Sequence, residues 1–336
     1  MNYTLYTESS EIDGARWDAL LAQSRYASFF QSRAYYAFMQ TLSCLAPFVY
    51  AVAADGRLDA LVCGYVTAEK GVKRYFSRRA IVLGGVVMRN DADRTAIDLL
   101  LGETVNQLKR KAIYIEIRNN HDYGQLQSVF EHNGFVYRQH YNFKIDTGVP
   151  DALANIGKSR FRDERAALLR GVTITTQPTK DDLKQWYGIL ARLYRNRIGK
   201  PLFPYEFFER ISECDFSKFF FVKVGEKVVG GTLCVCYGND SMYEWYACGL
   251  DREGYSQYAP STACTMASIR YSIDKGFRVF DMLGAGVPDE AYGVRNFKKH
   301  FGGKLVEEGR FLYLCNHILY RIGTWTVRYV QCKFFW

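Results

Sequence analysis

Twice along its length this chain runs through one order of patterns: short helices, an antiparallel hairpin, another strand, a long helix, a strand, a helix and a strand. In the first pass, residues 16–21 and 32–42 read as helices, with Ser28 and Ser32 as caps for the second. Residues 48–54 and 58–66 read as strands joined by Asp55-Gly56, a strong hairpin signal. Short strands are expected at 75–76 and 81–87. Between 91 and 111, Ile97, Leu100, Leu101, Val105 and Leu108 fall on one helical face. Residues 112–117, 125–132 and 135–145 then read as strand, helix and strand.

In the second pass, helices are expected at 158–170, 181–197 and 205–214, with a strand at 172–176. A hairpin follows over 219–224 and 228–236, then a strand at 241–248, a helix at 260–275 and a strand at 277–283. A strand at 308–314 and a final helix at 315–335 complete the chain. Helices packed on mixed sheets define an α/β (α+β) layer architecture. The expected division is a first domain over 1–146 and a second over 147–336, with a turn-rich joint at 146–150 and a cleft between two lobes.

An apolar fraction of 48% over 336 residues fits a folded chain and excludes a disordered one. The formal charge of +9 favours anionic partners such as nucleotide, phosphate, RNA or an acidic lipid surface. Nine cysteines without a CxxC pair argue against a disulfide framework or a zinc site and read as free thiols in a reducing compartment. The first seventeen residues are polar and mixed, unlike a signal or transit peptide, and no apolar run nears the roughly 20 residues of a membrane span. The expectation is a cytoplasmic protein, with the tail 320–336, where Arg321, Arg328 and Lys333 alternate with aromatics, as either a packed helix or a contact to the inner membrane face.

Chemistry is expected near 277–314. There an acid, Asp281, interrupts an apolar strand, Gly284, Gly286 and Pro288 force a loop, and Lys298 lies on the next element. Ligands of open α/β sheets bind just beyond strand ends. Glu244 and Tyr246, two apart, are expected on one face of their strand. Tyr258 precedes Pro260 at a helix start, a place that can hold phosphate. Arg195 and Arg197 lie near the Gly199 loop and could hold an anionic acceptor, with Arg192 and Arg195 on one helical face. The basic segment Lys158, Arg160, Arg162, Arg165 and Arg170 reads either as a phosphate contact or as an exposed helix with internal charge pairs.

The element order in each half is that of the GNAT acyltransferase fold, and its duplication resembles the FemA/FemB/FemX (FemAB) family of non-ribosomal aminoacyltransferases. Ile198-Gly199-Lys200-Pro201-Leu202-Phe203-Pro204 with Glu206-Phe207-Phe208 resembles that family's G-x-P-x-x-P-x-x-F-F helix start. Trp245-Tyr246-Ala247 with Tyr258-Ala259-Pro260 resembles its strand-to-helix passage. Phe280-Asp281-Met282-Leu283-Gly284 resembles its Y/F-D-x-x-G strand end, and Phe297-Lys298-Lys299-His300-Phe301-Gly302 its F-K-x-x-F/W-G segment. In the first half only Phe30-Gln31-Ser32 is similar.

The resemblance implies passage of an amino acid, carried as an ester on tRNA, to an amine of a peptidoglycan precursor, with no covalent intermediate and no separate cofactor. It places Phe297 and Lys298 at the acyl donor. Lys298 would then steady the oxyanion or a donor phosphate. Asp281 would accept or orient a proton of the attacking amine. Gly284, Glu244, Tyr246, Tyr258, Arg195 and Arg197 are the expected substrate contacts. Where the best-understood members grip nucleotide phosphates with a lysine and an arginine, this chain has Phe38 or Gln40, and Phe203. The coenzyme A signature Q/R-x-x-G-x-G/A is missing, since 251–257 reads Asp-Arg-Glu-Gly-Tyr-Ser-Gln, which favours aminoacyl-tRNA over acyl-CoA as donor. The alternatives are an acyl-CoA-dependent enzyme acting on an amino sugar or lipid amine, and a non-catalytic ligand-binding module.

Overall fold

The computed structural model describes residues 2–67, 77–288 and 293–324. The strand expected at 75–76 and the tail beyond 324 lie outside the described residues. The chain divides into two compact units, Met1–His140 with Glu307–Trp336, and Tyr141–Val306.

The first unit contains helices α1 (Gly14–Gln23), α2 (Arg33–Gln40), α3 (Arg94–Leu108) and α4 (Gln127–His132). Asp13, Ser32 and Asp93 accept first-turn N–H groups and so start the first three, Ser32 as expected. Its strands are β1 (Tyr3–Tyr6), β2 (Leu45–Ala54), β3 (Arg57–Thr67), β4 (Arg79–Gly84), β5 (Val87–Met88), β6 (Tyr114–Asn119) and β7 (Val136–Arg138). Asp55 and Gly56, at φ 48° and 81°, supply the two left-handed residues that a tight β2–β3 hairpin requires. All five apolar residues expected on one face of α3 are buried in the sheet's core.

The second unit holds β8 (Tyr141–Asp146), α5 (Lys158–Leu169), β9 (Val172–Thr175), α6 (Lys180–Leu193), α7 (Tyr205–Ser212), β10 (Ser217–Val224), β11 (Lys227–Tyr237), β12 (Ser241–Gly249), α8 (Pro260–Asp274), β13 (Val279–Gly284), α9 (Gly293–Lys299) and β14 (Lys304–Glu307). Its sheet runs β14-β8-β13-β12-β11-β10-β9. Met266 and Ile269 of α8 share a core with Phe220, Cys234, Met242, Phe280 and Met282 on one face. On the other, Trp186 of α6 donates to the Gly231 carbonyl (3.0 Å) and packs on Phe208, Phe219 and Phe221. Alternation along each strand separates the two sets.

The chain changes sheets twice at places the patterns did not mark. The single strand expected at 135–145 is two: β7 belongs to the first sheet and β8 to the second. The strand expected at 308–314 in the second domain is β15 (Arg310–Leu314), which returns to the first sheet between β6 and β7. The expected boundary at 146/147 is therefore displaced to 140/141, and the chain beyond Val306 rejoins the first unit. Packing explains the return. The Phe311 ring lies flat on Phe130, 3.9 Å between centroids and 7° apart, and Arg310 pairs with Glu116 at 3.0 Å. The N–H groups of Glu308 and Gly309 both donate to the His140 carbonyl. Gly309 has φ 66°, and a Cβ there would lie 2.2 Å from the Tyr137 ring, so only glycine fits this re-entry.

Phe311→Ala removes the ring that ties β15 to the first core. It should lower unfolding stability by about 3–5 kcal/mol in a urea titration.

Candidate functional site

Strands β12 and β13 pair in parallel only at Ser241–Val279, Met242–Phe280 and Tyr243–Asp281. Both continue, to Gly249 and Gly284, but no longer pair. Two irregularities coincide with the parting. On β12, Glu244 lies opposite Cys234 and Tyr246 opposite Leu233, so Trp245 is an extra, bulged residue. On β13, the register against β8 jumps from Asp281–Lys144 to Gly284–Asn142, and Leu283 takes the left-handed φ of 54°. The first sheet's parallel pair, β4 and β6, stays closed from Arg79–Tyr114 to Gly84–Asn119.

The bulge overturns one expectation. Glu244 and Tyr246 do not share a face. The Glu244 carboxylate accepts the Thr265 hydroxyl of α8 at 2.9 Å, whereas the Tyr246 ring packs on Phe208 of α7 (5.1 Å) and on Tyr194 (6.0 Å). Spacing of two implies one face only in a regular strand.

Lys298 lies in the last turn of α9. Its Nζ donates to the carbonyls of Leu283 (3.1 Å), Gly284 (3.0 Å) and Met282. An ammonium has three protons, so these bonds use them all. Burial lowers the Lys298 pKa, while Glu244 and Asp281 act to raise it. Asp281 is 1% exposed. Its Oδ1 accepts the Leu283 N–H at 2.7 Å, which stabilises the left-handed residue; its Oδ2 has no hydrogen bond, and Lys144 Nζ stands 3.8 Å away. Burial raises the Asp281 pKa, against Lys144, the Leu283 N–H and Lys298. Glu244 is likewise buried and raised, with Lys298 and the Thr265 hydroxyl opposing.

The Phe297 ring lies under the Arg160 guanidinium, 4.8 Å from its centre, with Phe301 at 5.1 Å. Arg160 also donates to Thr262 in the first turn of α8 at 3.0 Å. In the sequence Arg160 was one charge in a basic run, and nothing marked it as the inward one. Elsewhere on α5, Arg162 faces Asp163 within the helix, whereas Glu164 pairs outside it, with Arg270 of α8 at 2.8 Å.

Tyr258 closes a short turn before α8, beside Tyr255, and Pro260 opens the helix as expected. That helix start already carries an anion. Asp251 accepts the Ser261 N–H (3.3 Å) and hydroxyl (2.5 Å), and a Cβ on Gly249 would come within 2.7 Å of the same carboxylate. Arg195 and Arg197 are exposed, on a π turn, Tyr194–Ile198, that follows α6. Because α6 ends at Leu193, the helical spacing of Arg192 and Arg195 does not carry through, and Arg192 instead pairs with Glu253 at 3.5 Å.

Residues 157–299 match the family model described as an acetyltransferase (GNAT) domain, so the unit that holds the parted strands carries a GNAT acyltransferase domain. The whole chain has the FemAB-like tandem GNAT fold. It is similar to the crystal structure of FemX, with a TM-score of 0.68 and 16% identity over 96% of this chain and 99% of that one. It is also similar to L-PGS from Bacillus licheniformis (TM-score 0.57, 16% identity, 95% and 97% covered). A tandem GNAT protein from the clavulanic acid biosynthesis pathway matches at TM-score 0.60 and 9% identity over 94% and 99%. A search of the curated proteins finds no match.

Lys298→Met leaves three strand-end carbonyls without their donor. A loss of about 1–3 kcal/mol in urea unfolding is expected, with the circular dichroism spectrum retained.

Proposed function

We propose that this protein is a FemAB-like N-acyltransferase that passes an aminoacyl group from an activated ester to the amine of a cell-envelope precursor. The observation that carries this is the opening between β12 and β13, with a buried ammonium at its edge, in the unit with the GNAT domain. The likeness of the fold to FemX and L-PGS supports the same reading.

Aminolysis of an ester needs a neutral amine, a stabilised oxyanion and two reactants held together. Orientation supplies ~7–11 kcal/mol and one good oxyanion donor about 3–4 kcal/mol. Lys298 supplies the donor: as the acyl carbonyl enters, one of the three backbone carbonyls yields its N–H to the developing oxyanion. Asp281 works from behind, through the Leu283 N–H, to fix the Met282–Gly284 carbonyls that aim Lys298. Phe297, braced by Arg160, walls the acyl donor, and Arg195 and Arg197 meet an anionic acceptor. The donor is aminoacyl-tRNA, not acyl-CoA. A helix start that would take a pyrophosphate is occupied by Asp251, whose charge repels a second anion. No helix among the described residues is long and apolar enough to cross a membrane; contact with the inner face is peripheral in this reading.

Transfer of labelled amino acid from charged tRNA to a set of envelope amines tests the proposal. Lys298→Met should slow transfer at least ~100-fold, matching loss of an oxyanion donor. Full activity in that variant removes Lys298 from the mechanism. Calorimetry should show no binding of coenzyme A. Turnover with acyl-CoA instead would make the protein an acyl-CoA-dependent N-acyltransferase, and tight acceptor binding without turnover from either donor would make it a ligand-binding module.

A further inference from the structure

We propose that Lys144 is the counter-ion of Asp281 and, through it, a positioning residue for Lys298. The positioning role rests on the acyl-transfer reading above; the ion pair does not. Strands β8 and β13 run antiparallel with Lys144 directly opposite Asp281, so the two side chains leave the sheet on one face. Asp281 is the last residue of β13 in regular register with β8, because the pairing then jumps to Gly284–Asn142. Its Oδ1 is spent on the Leu283 N–H, and Oδ2, without a hydrogen bond, stands 3.8 Å from Lys144 Nζ. The carboxylate is 1% exposed and the lysine side chain 24%. Lys144 reaches it from the wall of a cavity of about 670 Å3, which Asp146, Arg278 and Lys304 also line.

A carboxylate taken out of water needs an opposite charge close by. Among the described residues the groups that face this one are Lys144 of β8, Lys298 of α9, Tyr243 of β12 and the Leu283 N–H of β13 itself. Tyr243 stays neutral, because burial pushes its phenol far up. Lys298 spends its three protons on the Met282, Leu283 and Gly284 carbonyls. Burial raises the Asp281 pKa, and of the groups that oppose burial Lys144 acts most strongly.

The ion pair bears on the reaction through one hydrogen bond. An ionised acceptor makes a bond about twice as strong as a neutral one. Ionised Asp281 therefore holds the Leu283 N–H and its left-handed turn, and the three carbonyls stay aimed at Lys298. Without the lysine charge, Oδ2 takes up a proton at higher pH, the bond to Leu283 weakens and the carbonyls lose their fix. Lys144 touches no reacting atom in this scheme and acts on the rate through geometry.

Carbon-13 titration of the aspartate carboxyls reads the pair directly, with the Asp281 signal identified by its loss in Asp281→Asn. In Lys144→Gln that signal should titrate at higher pH than in the wild-type protein, and Lys144→Arg should return it toward the wild-type position. A titration unmoved in Lys144→Gln overturns the counter-ion role. Given wild-type transfer, Lys144→Gln should lower kcat about tenfold on the acid side with the donor KM unchanged, and Lys144→Arg should restore it. The deficit should close as pH rises, where the carboxyl ionises without the lysine. A deficit equal at every pH, or none, overturns the positioning role. If the wild-type protein turns over neither donor class, the acyl-transfer reading fails and the positioning role falls with it, while the titration still decides the ion pair.

Discussion

Three backbone carbonyls in a row at the end of β13 converge on one ammonium, that of Lys298, and the rest of the site is arranged around that contact. A strand that continued its ladder would spend alternate carbonyls on its neighbour. Here Leu283 turns left-handed, Asp281 holds the Leu283 N–H, and successive carbonyls face the lysine. Burial disfavours the charged lysine, and three carbonyls with two nearby carboxylates offset that cost. The strand end therefore depends on the cation, and the cation on the strand end. The adjoining strand is affected in turn: β12 no longer pairs with β13 beyond Tyr243, and the Glu244 carboxylate is held by Thr265 of α8.

The duplication is one of element order and not of chemistry. In the first sheet the parallel strands β4 and β6 keep six consecutive residue pairs. In the second they separate after three. A closed pair leaves no room for a ligand between strands, so among the described parallel pairs the opening belongs to the second unit. In the second unit the cation-over-ring contact of Arg160 on Phe297, with the Arg160–Thr262 hydrogen bond, braces α5, α8 and α9 against one another.

Much of the fold was legible in the sequence. Asp55-Gly56 marked the hairpin because few residues tolerate two left-handed positions in succession, and the α3 stripe marked a helix because its period matches a buried face. What stayed hidden depends on long-range choice. The alternation over 135–145 shows extended chain but not that residues either side of His140 pair in different sheets. β15 likewise has an ordinary strand pattern, and only the fit of Phe311 against Phe130 tells which sheet receives it. At the site, Asp281 and Lys298 were visible as a strand acid and a lysine on the next element. Their mutual geometry, through the carbonyls of 282–284, was not. The Trp245 bulge has no local signature, so Glu244 and Tyr246 were placed together when the structure sets them apart. The Asp251 cap on α8 was hidden for the same reason, since it reaches across ten residues to Ser261.

The central claim is that the gap beside Lys298 receives the acyl group. A crystal structure with a stable 3′-aminoacylamino-adenosine, an amide analogue of the charged tRNA terminus, tests it most directly. The account predicts the aminoacyl group between β12 and β13, its carbonyl oxygen within hydrogen-bond distance of Lys298 Nζ, and one of the three backbone carbonyls displaced. An analogue bound elsewhere, with Lys298 still on all three carbonyls, would contradict it.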